Sequence, residues 1–140
     1  MTQGLAPPAG EQPPVAAPRP RVLVVDDSPD MRALLAEVLE VAGYDVVRAA
    51  SGARALAEMN VRVPDLVITD LLMPGMTGFT LRATMLRNER LAAVPVIVLS
   101  AYWRRPSDTL EASDVLSKPL NIDRLLEAVA RLTGPARTPG

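Results

Sequence analysis

The chain has 140 residues, 49% of them apolar and 22% charged, with a net charge of −1. That suits one soluble domain with its own core, and it gives no broad field for drawing in nucleic acid or an anionic membrane. There is no Cys and no His, which excludes disulfides, thiolate and imidazole metal sites, histidine general bases and a phosphohistidine carrier.

Residues 1–20 carry six of the 14 prolines, including Pro7-Pro8, Pro13-Pro14 and Pro18-Arg19-Pro20. Such a segment can enter neither a ladder nor a helix interior and reads as a disordered tail. It lacks the basic-then-apolar layout of a signal peptide, and no stretch has the length of a membrane span, so a cytoplasmic protein is expected.

Arg21-Val22-Leu23-Val24-Val25 reads as a strand buried on both faces, ending in Asp26-Asp27. Ser28-Pro29 then reads as an N-cap and first helical residue, with Met31, Leu34, Leu35, Val38 and Leu39 at helical spacing up to Gly43. Tyr44–Ala49 alternates more, as expected of a strand nearer a sheet edge. Ser51 caps a helix over Gly52–Arg62, with Ala53, Leu56, Ala57 and Met59 as its apolar side. Asp65–Thr69 is a third strand ending on Asp70, and a Met-, Pro- and Gly-rich loop prevents its continuing. A third helix is expected over Phe79–Leu91, a fourth strand over Val94–Leu99, and a stub of helix from Ser107 to Glu111. Asp114–Ser117 reads as a short fifth strand leading to Lys118-Pro119. Asn121 caps the last helix, whose face carries Ile122, Leu125, Leu126, Val129 and Leu132. Residues 134–140 form a flexible tail.

Strands that alternate with helices predict an α/β fold. The sheet is parallel, doubly wound and five-stranded, in the flavodoxin-like order 2-1-3-4-5. The first two strand–helix units wrap one face and the later ones the other.

Ligands in such folds bind beyond the carboxyl ends of the strands. Those ends deliver Asp26 and Asp27 from strand one, Asp70 from strand three, Ser100 from strand four and Lys118 from strand five. Each alone has an ordinary explanation as a cap, turn or surface residue. Their convergence on one edge is what points to a site. Three neighbouring carboxylates call for a raised pKa or a bound cation, and a hard ion such as Mg²⁺ suits all-oxygen ligands. A carboxylate nucleophile, a metal, a lysine and a hydroxyl are together what phosphoryl transfer needs.

These residues resemble the receiver domain of two-component response regulators over about residues 21–133. The matching pieces are Val25-Asp26-Asp27-Ser28, Asp70-x-x-Met73-Pro74-x-Met76-x-Gly78, Val96–Ala101 and Lys118-Pro119. The resemblance implies that Asp70 accepts a phosphoryl group from a sensor histidine kinase or a histidine phosphotransfer protein. It implies Mg²⁺ on Asp26, Asp27, Asp70 and the backbone carbonyl of Leu72. It makes Lys118 the phosphoryl contact, Ser100 the switch hydroxyl and Lys118-Pro119 a cis peptide. The product is a stand-alone, chemotaxis-regulator-like phospho-switch rather than an enzyme, signalling through an unspecified downstream protein or passing phosphate onward.

The chain departs from that family where Val115 replaces the usual Tyr or Phe, and where the segment between Ser100 and Lys118 is several residues short. A shortened fourth helix and a remodelled output face follow, with Tyr102 and Trp103 as candidate replacement aromatics. One alternative is a degenerate receiver that binds partners without phosphorylation. Another is an aspartate-nucleophile phosphatase, disfavoured because the isolated acid follows strand three and no insertion is long enough for a cap. A nucleotide- or flavin-binding module would need a Gly-rich loop after strand one, which is absent.

Overall fold

The computed structural model describes residues 19–101 and 114–133. The Pro-rich tail over 1–18, the stub expected at Ser107–Glu111, Tyr102, Trp103 and the 134–140 tail lie outside the described residues. So does the expected shortening of a fourth helix.

The strands are β1 (Arg21–Val25), β2 (Asp45–Ala49), β3 (Leu66–Asp70), β4 (Val96–Ser100) and β5 (Asp114–Ser117). They form one parallel sheet in the order β2-β1-β3-β4-β5, as the sequence predicts. β1, β3 and β4 are apolar runs buried on both faces, while β2 is less buried and lies at an edge. The helices are α1 (Pro29–Val41), α2 (Gly52–Val61), α3 (Gly78–Leu86) and α4 (Ile122–Thr133). Among the described residues, no helix is long and apolar enough to cross a membrane.

The helices are divided between the faces differently from expectation. Leu35 and Leu39 of α1 share one core with Leu125 and Val129 of α4. Met59 of α2 and Met85 of α3 belong to the other core. Right-handed crossovers explain the division. The chain moves outward from β1 to β2, then back across β1 to β3, and a reversal of direction at fixed hand puts α2 on the face opposite α1.

Local chemistry sets the helix ends. Ser28, Ser51 and Thr77 each accept a backbone N–H three residues on, at 3.3, 3.1 and 3.1 Å. Gly43, at φ 101°, turns the chain out of α1. Tyr44 then packs into the core ahead of β2 rather than beginning it.

Further expectations need correction. Helix α3 stops at Leu86, not Leu91, because Asn88 opens a separate turn. Its side chain accepts Arg90 N–H at 2.9 Å, and its carbonyl accepts Leu91 N–H at 2.9 Å. Leu91 is buried all the same, and its apolar character is what made the helix read longer. Strand β4 begins at Val96 rather than Val94, since the Val94 carbonyl is taken by Arg82 Nη1 at 2.7 Å and Pro95 has no N–H. In α2 the buried side is Gly52, Ala55 and Met59, which share one helical stripe, with Ala53 and Ala57 exposed; Met76 lies against Gly52. A smaller shift concerns α4, where Ala128 is buried and Ile122 is exposed.

Candidate functional site

Strand β1 leads into Asp26, whose backbone N–H donates to Ala49 O at 3.1 Å. Its Oδ1 accepts Ser28 N–H at 2.9 Å, and its backbone carbonyl accepts Arg32 Nη1 at 2.7 Å. Asp26 is 1% exposed, and its Oδ2 is buried with no hydrogen-bond partner among the described residues. Burial is the main cause that pushes its carboxyl above the usual carboxylate range. The Ser28 N–H opposes the shift, Asp70 adds to it, Lys118 opposes it and Asp27 adds to it. Asp27 itself is exposed.

Asp70 closes β3 and is partly buried. Its Oδ1 accepts two donors, Leu71 N–H at 3.0 Å and Lys118 Nζ at 2.9 Å. The backbone here is tightly fitted. Thr69 Oγ1 donates to Asp70 O at 2.9 Å, and Gly78 N–H donates to Leu71 O at 2.8 Å. A Cβ on Gly78 would meet Asp70 O at 2.8 Å, so no larger residue closes this loop without moving it. Between them, Gly75 at φ 85° reverses the chain.

Ser100 ends β4, buried at 2% exposure, and its carbonyl accepts Lys118 N–H at 2.9 Å. That bond seats Lys118 at the end of β5, with its peptide to Pro119 cis as the resemblance implies. Leu72 stands just past Leu71 with its side chain exposed.

Asp26, Asp27 and Asp70 therefore converge, each offering an oxygen, with these atoms within 4.8 Å of one another. All-oxygen donors at that spacing fit a hard divalent cation, and the orphaned Asp26 Oδ2 is a buried lone pair that such an ion satisfies. The residues fit Mg²⁺. Arg32 is a site residue that the sequence motifs do not single out, whereas Gly78 closes the Asp70 motif. A cation one helical turn beyond an acid pair was the available signal for Arg32.

The family described as Response regulator receiver domain matches residues 22–130. Among similar proteins is the DNA-binding dual master transcriptional regulator RpaA of Synechocystis, 36% identical over 118 residues. The match covers 81% of this chain but spans only 48% of RpaA. Sporulation initiation phosphotransferase F of Bacillus subtilis is 34% identical over 115 residues, covering 79% of this chain and 91% of that protein. The crystal structure of response regulator TrrA from Thermotoga maritima, in complex with Mg²⁺-BeF, aligns at TM-score 0.74 and 36% identity, over 81% of this chain and 98% of that one. With the sheet order and the acid cluster, these matches show that the chain belongs to the receiver-domain family of two-component response regulators.

Proposed function

We propose that Asp70 is the phosphoryl acceptor of a two-component phosphorelay. The donor is the phosphohistidine of a sensor histidine kinase or a histidine phosphotransfer protein. The single observation that carries this reading is the ion pair between Lys118 Nζ and Asp70 Oδ1 at 2.9 Å, beside two further carboxylates.

Because Leu71 N–H and Lys118 both hold Oδ1, Oδ2 of Asp70 is the oxygen left to attack phosphorus. The P–O bond forms as the P–N bond breaks, and the departing imidazole nitrogen keeps the electron pair. A bound Mg²⁺, held by Asp26, Asp27, Asp70 and the Leu72 carbonyl, would supply positive charge to the phosphoryl oxygens. Lys118 exchanges the carboxylate for a phosphoryl oxygen, and the Ser100 hydroxyl turns to the same group and reports its presence. The receiver unit spans residues 21–133, and its signal passes to a downstream protein or onward as phosphate.

Incubation with acetyl phosphate and Mg²⁺ followed by intact mass tests the reading. The wild type gains one phosphoryl group and Asp70→Asn does not. No gain from either a small donor or a kinase would instead favour a receiver that binds partners without phosphorylation.

A further inference from the structure

Arg32 lies one turn into α1, and the phosphoryl chemistry above does not use it. Its Nη1 reaches back to the backbone carbonyl of Asp26 at 2.7 Å in a part-buried bond. Asp26 is thus held at three points. Its N–H is on Ala49 O, its Oδ1 on Ser28 N–H and its carbonyl on Arg32. Among the described residues, Oδ2 has no partner and is left for the cluster.

The carbonyl in question belongs to the peptide unit that joins Asp26 to Asp27. A peptide plane is rigid, so fixing its oxygen fixes the direction in which Asp27 leaves the strand. Asp27 is exposed among the described residues, so packing there holds it little. Arg32 bonds to a neutral carbonyl and not to a carboxylate, so its contribution is orientation more than neutralisation. A guanidinium suits the task because it is always charged and its donors are held in a rigid plane.

We infer that Arg32 is a positioning residue for the cation-binding acid pair, fixing the Asp26–Asp27 peptide so that both carboxylates face Asp70 before a cation arrives. The inference rests on the Mg²⁺ reading of the site given above.

Charge and orientation predict opposite signs, and this makes the test sharp. Removal of a positive charge beside a cation site tightens Mg²⁺ binding by Coulomb's law alone. Loss of orientation weakens it. The measurement is calorimetric titration of Mg²⁺ into wild type, Arg32→Met and Arg32→Lys, with thermal melts in EDTA. Arg32→Met raises the Mg²⁺ dissociation constant about tenfold, the low end for outer-shell partners of metal ligands. Arg32→Lys raises it less, since an ammonium can still donate to the carbonyl. Unchanged or tighter binding by folded Arg32→Met overturns the inference, as does a lower melting temperature with unchanged Mg²⁺ affinity. If Arg32→Met does not fold, Arg32→Lys decides, and a dissociation constant at or below the wild-type value overturns the inference. Absence of Mg²⁺ binding by the wild type overturns the reading of the site and takes the inference with it.

Discussion

Lys118 Nζ and Asp70 Oδ1 meet at 2.9 Å, although 48 residues separate them in sequence. The bond joins the ends of two strands that are not neighbours, since β4 lies between β3 and β5. It sets the one lysine ammonium of the site against a cluster of three acids. Lys118→Met therefore separates two effects. Without metal the variant loses stability, by about 1–2 kcal/mol for a pair that is only partly buried. Phosphorylation by acetyl phosphate slows by about a hundredfold, as when a donor to developing charge is removed. Mg²⁺ binds more tightly, because a competing cation is gone. Calorimetry and the rate of mass gain read these directions, and the shift in Mg²⁺ affinity is opposite to that expected of Arg32→Met.

Asp26 is expected to act against the fold when the cation is withheld. Burial raises its carboxyl above the ordinary value of 3.8. Between the ordinary value and the raised one, the folded protein keeps a proton that the unfolded chain has lost. Stability from this group is therefore full below the ordinary value and is lost as pH rises through the raised one. Asp26→Asn removes the charge while its side-chain oxygen can still accept Ser28 N–H. In EDTA at pH 7 the variant is more stable than wild type by about 1 kcal/mol, the scale of one unsatisfied buried group. The gap closes at pH values below the ordinary range, and saturating Mg²⁺ at pH 7 reverses the order. Urea midpoints under the three conditions measure this.

Two glycines near the site should respond differently to the same methyl group. At Gly78 an added Cβ meets backbone, Asp70 O at 2.8 Å and Leu71 Cα at 3.3 Å. Gly78→Ala costs about 3 kcal/mol, at the upper end for overpacking, and displaces the loop that follows Asp70. At Gly52 the obstacle is the Met76 side chain, with Sδ at 2.6 Å. A thioether can move aside, and Ala favours a helix over Gly by about 1 kcal/mol. Gly52→Ala therefore falls within about 1 kcal/mol of wild type by denaturant unfolding.

Ser28 provides a control for the site mutations. Its hydroxyl caps α1 through Met31 N–H, while its own N–H serves Asp26. Ser28→Ala removes the first bond and keeps the second. It costs about 1 kcal/mol of stability, with Mg²⁺ affinity unchanged by calorimetry.

The sheet was legible because β1, β3 and β4 are apolar runs of strand length bounded by turn signals, with Asp26-Asp27, Asp70 and Ser100 at their ends, while Lys118 follows the shorter, partly buried β5. Parallel topology then required their convergence. What stayed hidden depended on contacts that periodicity does not carry. Leu91 is apolar and buried whether or not it is helical, so the end of α3 depended on the Asn88 side chain. The pull of Arg82 on the Val94 carbonyl, and of Arg32 on that of Asp26, are backbone bonds from long side chains, invisible to any pattern of polar and apolar letters. The side of the sheet taken by α2 followed from the hand of the crossovers, a rule about space and not about composition.

The mutual repulsion of the acid cluster also bears on how fast the protein opens and closes. Asp26 and Asp70 come from β1 and β3, and Lys118 from β5, so their side chains meet only once distant parts of the chain have paired. Interactions that form late are absent from the folding barrier and weigh on the return journey. Relief of the repulsion, whether by Asp26→Asn or by a cation, should leave the rate of folding nearly unchanged and slow unfolding. A receiver domain built this way would carry, without a cation, a built-in readiness to open, and a bound cation would lengthen its native lifetime.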